Sequence, residues 1–298
     1  MRAGLTLTLC LIAQGCARST SDQASAGAAS VAPGEFSSAN PFAQPSSLPY
    51  QAPAFDRIRN GDYQPAIEEG MRRQRAELDS IARQQASPTF ENTIVALERT
   101  GELLTRVLKV FGSVVQANTN DTLQRVQTEE APRLAAHSDA LYLDSRLFQR
   151  VHSVYQRRAS LKLSTEQNTL VERYHRNFVR AGAQLPEAPK NRLRQLNQEE
   201  ARLSTDFQNK LLTATKAGAL VLDDRSQLKG LSEAEVAASA EAAKDRGLAG
   251  KYLIVLQNTT QQPALASLAD RGVRQRLFEA SIHRADRSDT NDTRSIVR

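Results

Sequence analysis

The sequence has few of the residues on which disulfide-rich folds and cysteine-based metal sites depend. Its 298 residues include no tryptophan and only two cysteines, and aromatic side chains make up 5%. Cys10 and Cys16 both lie near the start, in a spacing that matches neither a zinc knuckle nor a C-x-x-C redox pair. No apolar run reaches the roughly 18 to 20 residues that cross a bilayer as a helix. The sequence therefore predicts a body without disulfides and without a membrane-spanning helix.

The motifs that usually mark an active site are also absent. The sequence has no H-E-x-x-H, no G-x-S-x-G and no phosphate-binding glycine loop. No histidine lies four residues from another; the four are His137, His152, His175 and His283. A lone helical histidine such as His175 is more typical of a core or surface residue than of a metal ligand. Adjacent acids are poor acid–base pairs, because neighbours in a helix point to different sides. Such acids occur at Glu68/Glu69, Glu129/Glu130, Glu199/Glu200 and Asp223/Asp224.

Helix-forming residues, by contrast, are abundant. Ala, Leu, Gln, Glu and Arg dominate, and a hydrophobic content of 40% is enough for a core. The net charge of +6 raises the possibility of nucleic-acid binding, but acids repeatedly stand four residues before an arginine. That order favours exposed ion pairs on a solvated helix face. Examples are Glu69/Arg73, Glu102/Arg106, Glu129/Arg133, Glu172/Arg176 and Asp270/Arg274. We therefore expect no nucleic-acid partner.

The first residues have the features of a bacterial export signal. Arg2 precedes a short apolar run over 5–13. The segment "LIAQGC" resembles a lipobox that ends at Cys16, which predicts a signal peptide over 1–16 and lipid attachment at Cys16. The alternative is cleavage after Ala26, at the end of "ASA". In either case the protein is expected to be exported to the periplasm, and lipidation would anchor it to a membrane.

A flexible tether and an extended arm are predicted to follow. Residues 17–40 are rich in Ser, Ala and Gly, as flexible linkers are, so the body is expected over 41–298. Four prolines over 40–58 predict an extended arm. Its apolar side chains are expected to lie on a neighbouring surface; they are Phe42, Leu48, Tyr50 and Phe55.

Apolar residues at helical spacing predict a series of amphipathic helices. The first helix begins near Pro65. A second apolar stripe runs from Phe90 to Val115. Gly101 interrupts this stripe at a cost in helix stability, which suggests that another helix packs closely there. Further helices are expected at 147–158, 164–180, 187–216 and 232–244. Two starts have capping-box spacing, at Ser164/Gln167 and Ser232/Glu235, and two glycines fit the left-handed position past a helix end, Gly182 and Gly247.

Two short apolar runs, 219–223 and 252–257, read as strands that could pair. A long helix is then expected to start near Pro263, with Asn258 or Gln261 as its cap. Its inward-facing residues would be Leu265, Leu268, Leu277, Phe278 and Ile282. The predicted fold class is mainly α: a large irregular helical domain with a small two-stranded β element near 219–257.

The order of several segments from Asn40 onward resembles the N-terminal part of bacterial peptidyl-dipeptidases, in the thimet-oligopeptidase-like family of zinc metallopeptidases. The segments are "NPF", "LPYQAPAFDRI", "FENTIVALERTGELLTRV", "ANTNDTLQRV", "LFQRVHSVYQRR", "NTTQQPALASLADR" and "HRADRSDTNDTRSIV". Their order and spacing cover nearly the whole chain past the tether.

This resemblance implies a neurolysin-like, two-lobed fold with a deep channel for short oligopeptides. It implies a zinc cofactor and removal of C-terminal dipeptides, with the H-E-x-x-H and the third ligand beyond residue 298. The helices here would form one channel wall, and the strands near 219–257 would lie nearer the cleft. Asp289, Asn291 or Asp292 would cap a helix that has just begun at Thr293. We therefore expect the sequence to stop before the zinc site and the fragment to be inactive.

A second hypothesis remains open. The chain could be a membrane-anchored helical interaction module that has no catalytic half. The residues of the chain itself assign no catalytic, substrate-binding or metal-binding role to any position.

Overall fold

The computed structural model describes residues 35–297, where helices dominate and the single sheet has two strands. This confirms the predicted mainly helical fold. The helices are α1 (Tyr63–Ala82), α2 (Ala96–Glu98, after a π-helical turn at Phe90–Val95), α3 (Glu102–Ala117), α4 (Asp121–Tyr142), α5 (Ser145–Arg157), α6 (Thr165–Ala181), α7 (Glu187–Ala217), α8 (Glu233–Lys244), α9 (Asn258–Ser267), α10 (Arg271–Ile282) and α11 (Arg294–Val297). The predicted signal peptide, Cys16, the site after Ala26 and tether residues 17–34 lie outside the described residues.

Three clusters of buried apolar side chains hold these elements together. The first joins α1, α3 and the start of α4, with Ile67 and Val107 fully buried. The second joins the end of α1 and the π-helical turn to α5 and α6 around Phe178. The third lies between the sheet and helices α8 to α10, around Leu277. The first two clusters share α1, whereas the third is formed only by residues after Ala217.

The predicted arm contacts the body through one of its four apolar side chains. Phe42 is 3% exposed and its ring centroid lies 5.5 Å from that of Tyr63. The prediction is wrong for Leu48, Tyr50 and Phe55, which are exposed. The physical reason is a tight turn at Pro49–Gln51, in which Tyr50 has a φ of 57°, so the segment bends instead of lying flat. Within the predicted tether, Phe36 packs against the first cluster.

The two glycines near the α1–α3 contact have different roles. Gly101 has a φ of +72° and separates α2 from α3, so the stripe from Phe90 to Val115 belongs to two helices. Gly101 also lies close to α1, as predicted: its N–H donates to Oε2 of Glu77 at 2.8 Å, and an added Cβ would overlap the Gln74 side chain. A second close contact occurs at Gly70 of α1, where an added Cβ would lie 2.8 Å from the Cα of Leu104. Gly70 therefore sets how closely α1 and α3 approach.

We expect Gly70→Ala to lower the free energy of unfolding by about 1–3 kcal/mol, because the backbone of Leu104 must move away. Gly112→Ala in α3 is the matched control. No atom lies within 4 Å of its added Cβ, so it should raise stability by about 0.5–1 kcal/mol. Urea unfolding measures both. Equal effects of the two substitutions would contradict the close contact.

Local sequence signals at helix ends are confirmed. Ser164 with Gln167 and Ser232 with Glu235 form the predicted capping boxes. Gly182 follows α6 with a left-handed φ of 97°, and Gly247, three residues past α8, also has a positive φ. At the start of α11, Asp292 is the predicted acid that caps, because its Oδ1 accepts a hydrogen bond from the Arg294 backbone N–H at 2.9 Å.

The two predicted strands form and pair. β1 (Leu220–Leu222) and β2 (Tyr252–Ile254) are antiparallel, with Val221 opposite Leu253. Ser239 of α8 covers the outer edge of β2, where its hydroxyl donates to the Leu253 carbonyl at 3.1 Å. The sheet is therefore an integral part of the third cluster.

The predicted long helix from Pro263 to Ile282 is wrong. Pro263 lies inside α9, and a break at Leu268–Asp270 separates α9 from α10. The Asp270 carboxylate accepts backbone N–H hydrogen bonds from Gly272 and Val273, which starts a new helix. The break changes the direction of the apolar face: Leu268 and Leu277 are buried as predicted, whereas the side chains that follow are not. Those exposed side chains are Phe278 at 53% and Ile282 at 54%.

Candidate functional site

The described residues do not form a metal centre. Between residues 35 and 297 no three His, Cys, Asp or Glu side chains come together in a way that could hold a metal ion. A zinc ion in a protein typically needs three or four such ligands. The residues of this part of the chain therefore do not fit a catalytic zinc site. In the same range, none of the helices combines the length and the apolar character that a bilayer crossing requires.

Two histidines that are far apart in the sequence form a pair. His152 of α5 and His175 of α6 approach with 3.0 Å between Nδ1 and Nε2. The Tyr155 ring is stacked on His175, with centroids 3.9 Å apart, and the Arg158 guanidinium lies 4.0 Å from the Tyr155 ring centroid. No spacing in the sequence signals this contact, because the two positions are 23 residues apart and lie on different helices. The pair joins α5 to α6.

This environment favours the neutral form of His175. Burial lowers the pKa of His175, and the neighbouring His152 and the Arg158 cation lower it further. One ring nitrogen in the pair must donate and the other accept, so at least one imidazole has to be neutral at that position. The hydrogen bond between α5 and α6 is therefore lost when both rings are protonated, and burial, His152 and Arg158 all oppose protonation of His175.

We expect stability to fall as the pH drops below about 6.5, the value for an unfolded histidine. The folded pKa of His175 lies lower, so the unfolded chain takes up the proton first and gains free energy from it. The loss continues until the pH has passed the folded value. His175→Gln should reduce this slope in unfolding experiments between pH 8 and pH 5. The exposed His283→Gln is the control, and an equal change in both variants would contradict the role of the pair.

His137 and Glu130 are buried without forming a catalytic arrangement. Nε2 of His137 lies 2.7 Å from Oε1 of Gln74, and burial lowers the pKa of His137. Glu130 is 1% exposed, accepts from Gln64 and Arg133, and has its pKa raised by burial. Both lie on α4 and face α1. We interpret them as packing groups of this helix pair.

The adjacent acids take part in ion pairs and caps, not in dyads. Glu69 contacts Arg72 at 2.6 Å and Arg73 at 2.7 Å, and the Arg72 hydrogen bond is the main reason that its pKa falls to about 2. Asp223 pairs with Lys251, and Asp224 caps the turn that follows β1. These contacts give the acids a structural role.

An open groove of about 530 Å³ lies where α7, α9, α10 and α11 come together. Leu211 of α7 and Ile282 of α10 form its apolar part, and Thr293 and Arg294 lie at its end. Gln261 of α9 also lines it; this side chain is 7% exposed, and its Oε1 has no hydrogen-bond partner. The prediction that Asn258 or Gln261 caps a helix is wrong, because α9 already begins at Asn258 with Gln257 before it and no side-chain cap.

The groove therefore presents apolar groups of Leu211 and Ile282 beside the charged side chains of Arg284 and Asp286. Gln261 Oε1 is buried beneath them and has no hydrogen-bond partner. Partly exposed apolar side chains of this kind are available for contact with another molecule.

Comparison with known proteins identifies relatives of this chain. No protein-family model matches it. It is 51% identical to the dipeptidyl carboxypeptidase of Escherichia coli over 258 residues, which is 87% of this chain and 38% of the relative. The dipeptidyl carboxypeptidase of Salmonella typhimurium is 50% identical over 87% of this chain and 38% of its own length. Oligopeptidase A of E. coli is 22% identical over 81% of this chain and 35% of its own length.

The chain spans less than two fifths of the length of these curated relatives. Identity near 50% over most of the chain shows common ancestry with these relatives, which are peptidases by name. The chain is similar to the N-terminal part of dipeptidyl carboxypeptidases.

Proposed function

We propose that this chain is the N-terminal portion of an exported, zinc-dependent peptidyl-dipeptidase, which removes C-terminal dipeptides from oligopeptides. The single observation that supports this most strongly is the 51% identity to a dipeptidyl carboxypeptidase over 87% of the chain. The zinc ligands and the general base belong, in this proposal, to the part of the protein outside this chain. The residues described here contribute no catalytic group.

The role of this portion is to shape access to the active site. Helices that pack through three cores form a rigid wall, and their exposed polar faces exclude folded proteins while short peptides pass. Lipidation at Cys16, or cleavage after Ala26, would deliver the enzyme to the periplasm in anchored or free form. Mass spectrometry of the mature N-terminus distinguishes lipidation from simple cleavage. A diacylglyceryl group on Cys16 would support the lipid anchor, and a mature chain that starts at Gly27 would contradict it.

The first test is the chemistry of the chain by itself. It should release no dipeptides from oligopeptides and should bind less than one zinc per molecule in equilibrium dialysis, because its described residues hold no cluster of three ligands. Stoichiometric zinc together with hydrolysis would place the catalytic centre inside this chain. That result would contradict the proposal that the zinc ligands and the general base lie outside this chain.

A further inference from the structure

Helix α7 carries an apolar stripe that lies outside the three core clusters. Leu196, Leu203, Phe207 and Leu211 follow one another by seven, four and four residues, which places them on one side of the helix over roughly 22 Å. Leu196 is 48% exposed and the other three are partly buried, yet none of them belongs to the three core clusters. The stripe is therefore not explained by packing within the described residues.

The opposite side of α7 accounts for its attachment to the body. Helix α4 is its main packing partner. The contact is made by polar groups, such as Asn197 to Asp139 at 2.7 Å and Asn209 to Thr128 at 3.2 Å. Asn197 and Asn209 lie on a different side of the helix from the apolar stripe. Consequently α7 has one side bound to α4 through polar contacts and another, apolar side that faces outward.

The stripe continues onto α10. Leu211 and Ile282 line the same groove, and Phe278, one turn before Ile282, is 53% exposed. We call this surface the α7–α10 face; it consists of Leu196, Leu203, Phe207, Leu211, Phe278 and Ile282. Exposed apolar side chains grouped beside polar surface mark an interaction site more often than chance exposure does. Gln261 lies beneath the same groove, and its buried Oε1 is not open to a partner.

Two observations point to one occupant. The relatives that match this chain extend over about three fifths of their length beyond the match, so the family's polypeptide contains a large body outside the matched part. A second copy of the chain fits less well, because both copies carry a net charge of +6.

We propose that the α7–α10 face is the surface on which the remaining part of the dipeptidyl carboxypeptidase polypeptide docks, with apolar side chains on the stripe. This inference rests on the proposed function, since it takes the partner from the same enzyme. Leu211 and Ile282 form the centre of the contact, because they come from different helices and line the same groove. The interface thus joins α7 and α10 to the catalytic half.

The test is side-chain labelling with a photoactivated carbene, read by mass spectrometry. It compares the full chain alone with a chimera in which this chain replaces the matching part of the E. coli dipeptidyl carboxypeptidase. Labelling of Phe207, Leu211 and Ile282 should fall about fivefold or more in the chimera, because interface cores pack as densely as protein interiors. Tyr50 and Phe55, also exposed apolar side chains, are the control and should label equally in both proteins.

Equal labelling of the α7–α10 face in both proteins would overturn the proposal, as would protection in the chain alone that grows with its concentration, since a second copy would then be the occupant. If the chimera does not fold, the remaining E. coli polypeptide is added separately and the same labelling is measured. Peptide hydrolysis is assayed in parallel. Reduced labelling of the face without peptide hydrolysis would support the docking surface and contradict the proposed function. Hydrolysis without reduced labelling would support the proposed function and contradict the docking surface.

Discussion

Replacement of Phe178 by alanine is expected to lower the free energy of unfolding by about 3–5 kcal/mol. The Phe178 side chain is completely buried in the second cluster, with its ring centroid 5.2 Å from that of Tyr142 and 6.2 Å from that of Phe148. The substitution removes a large apolar group and leaves a cavity between α4, α5 and α6. Urea unfolding followed by circular dichroism measures the effect.

The matched control is Phe278→Ala. Phe278 is 53% exposed on α10, so its loss should change the stability of this chain by no more than about 0.5 kcal/mol. The sequence predicted Phe278 to face inward, and the structure instead exposes it. Similar effects of the two substitutions would mean that α10 is oriented differently.

The second large effect is expected at Lys190, whose side chain is 1% exposed in the first turn of α7. Its ammonium group donates to the Leu143 carbonyl at 3.1 Å and to the Ser145 hydroxyl at 2.8 Å. One cation thereby fixes α7 to the connection between α4 and α5. Lys190→Met keeps the volume but removes both hydrogen bonds, and should lower the free energy of unfolding by about 2–4 kcal/mol.

Lys229→Met is the control, because Lys229 is exposed, and a change within about 0.5 kcal/mol is expected there. The charge of Lys190 is only weakly compensated, since the Glu187 carboxylate lies 3.6 Å away and is 66% exposed. Burial of an ammonium group is itself unfavourable. If Lys190→Met raised the stability, desolvation of the cation would outweigh its two hydrogen bonds, and the structural role assigned to it would be wrong.

Features that depend on neighbouring residues were predictable from the sequence. Capping boxes at Ser164 and Ser232 depend on a residue three positions away, and Gly182 adopts a left-handed conformation for which glycine has no steric penalty. The two strands were recognisable as short apolar runs. Because the sequence showed only two such runs, each strand had one possible partner. These local signals fixed where helices start and stop.

Helix α4 was missed because its packing is unusually polar. Leu123 and Val126 are buried near its start, but farther along it meets α1 through Glu130 and His137 and meets α7 through Asp139. Pro132 inside the helix further hides the pattern. A method that looks for apolar periodicity cannot detect a helix whose contacts are hydrogen bonds between side chains.

The candidate site was less predictable than the fold. The His152–His175 pair and the groove around Gln261 each require side chains from different helices to meet, and no spacing in the sequence signals this. The break before α10 was the most consequential feature that the sequence did not predict. Because a new helix starts after Asp270, Phe278 and Ile282 are exposed and belong to the α7–α10 face. The family resemblance, in contrast, was visible in short ordered segments and agrees with the relatives found.

The central claim is that this chain is the non-catalytic portion of a peptidyl-dipeptidase, and the most direct measurement is zinc-dependent release of C-terminal dipeptides by the chimera with the E. coli dipeptidyl carboxypeptidase. We predict that the folded chimera releases dipeptides from oligopeptides, that a chelator abolishes this release, and that the chain alone releases none. A folded chimera without this activity would contradict the claim and favour an interaction module that shares only its ancestry with the peptidases.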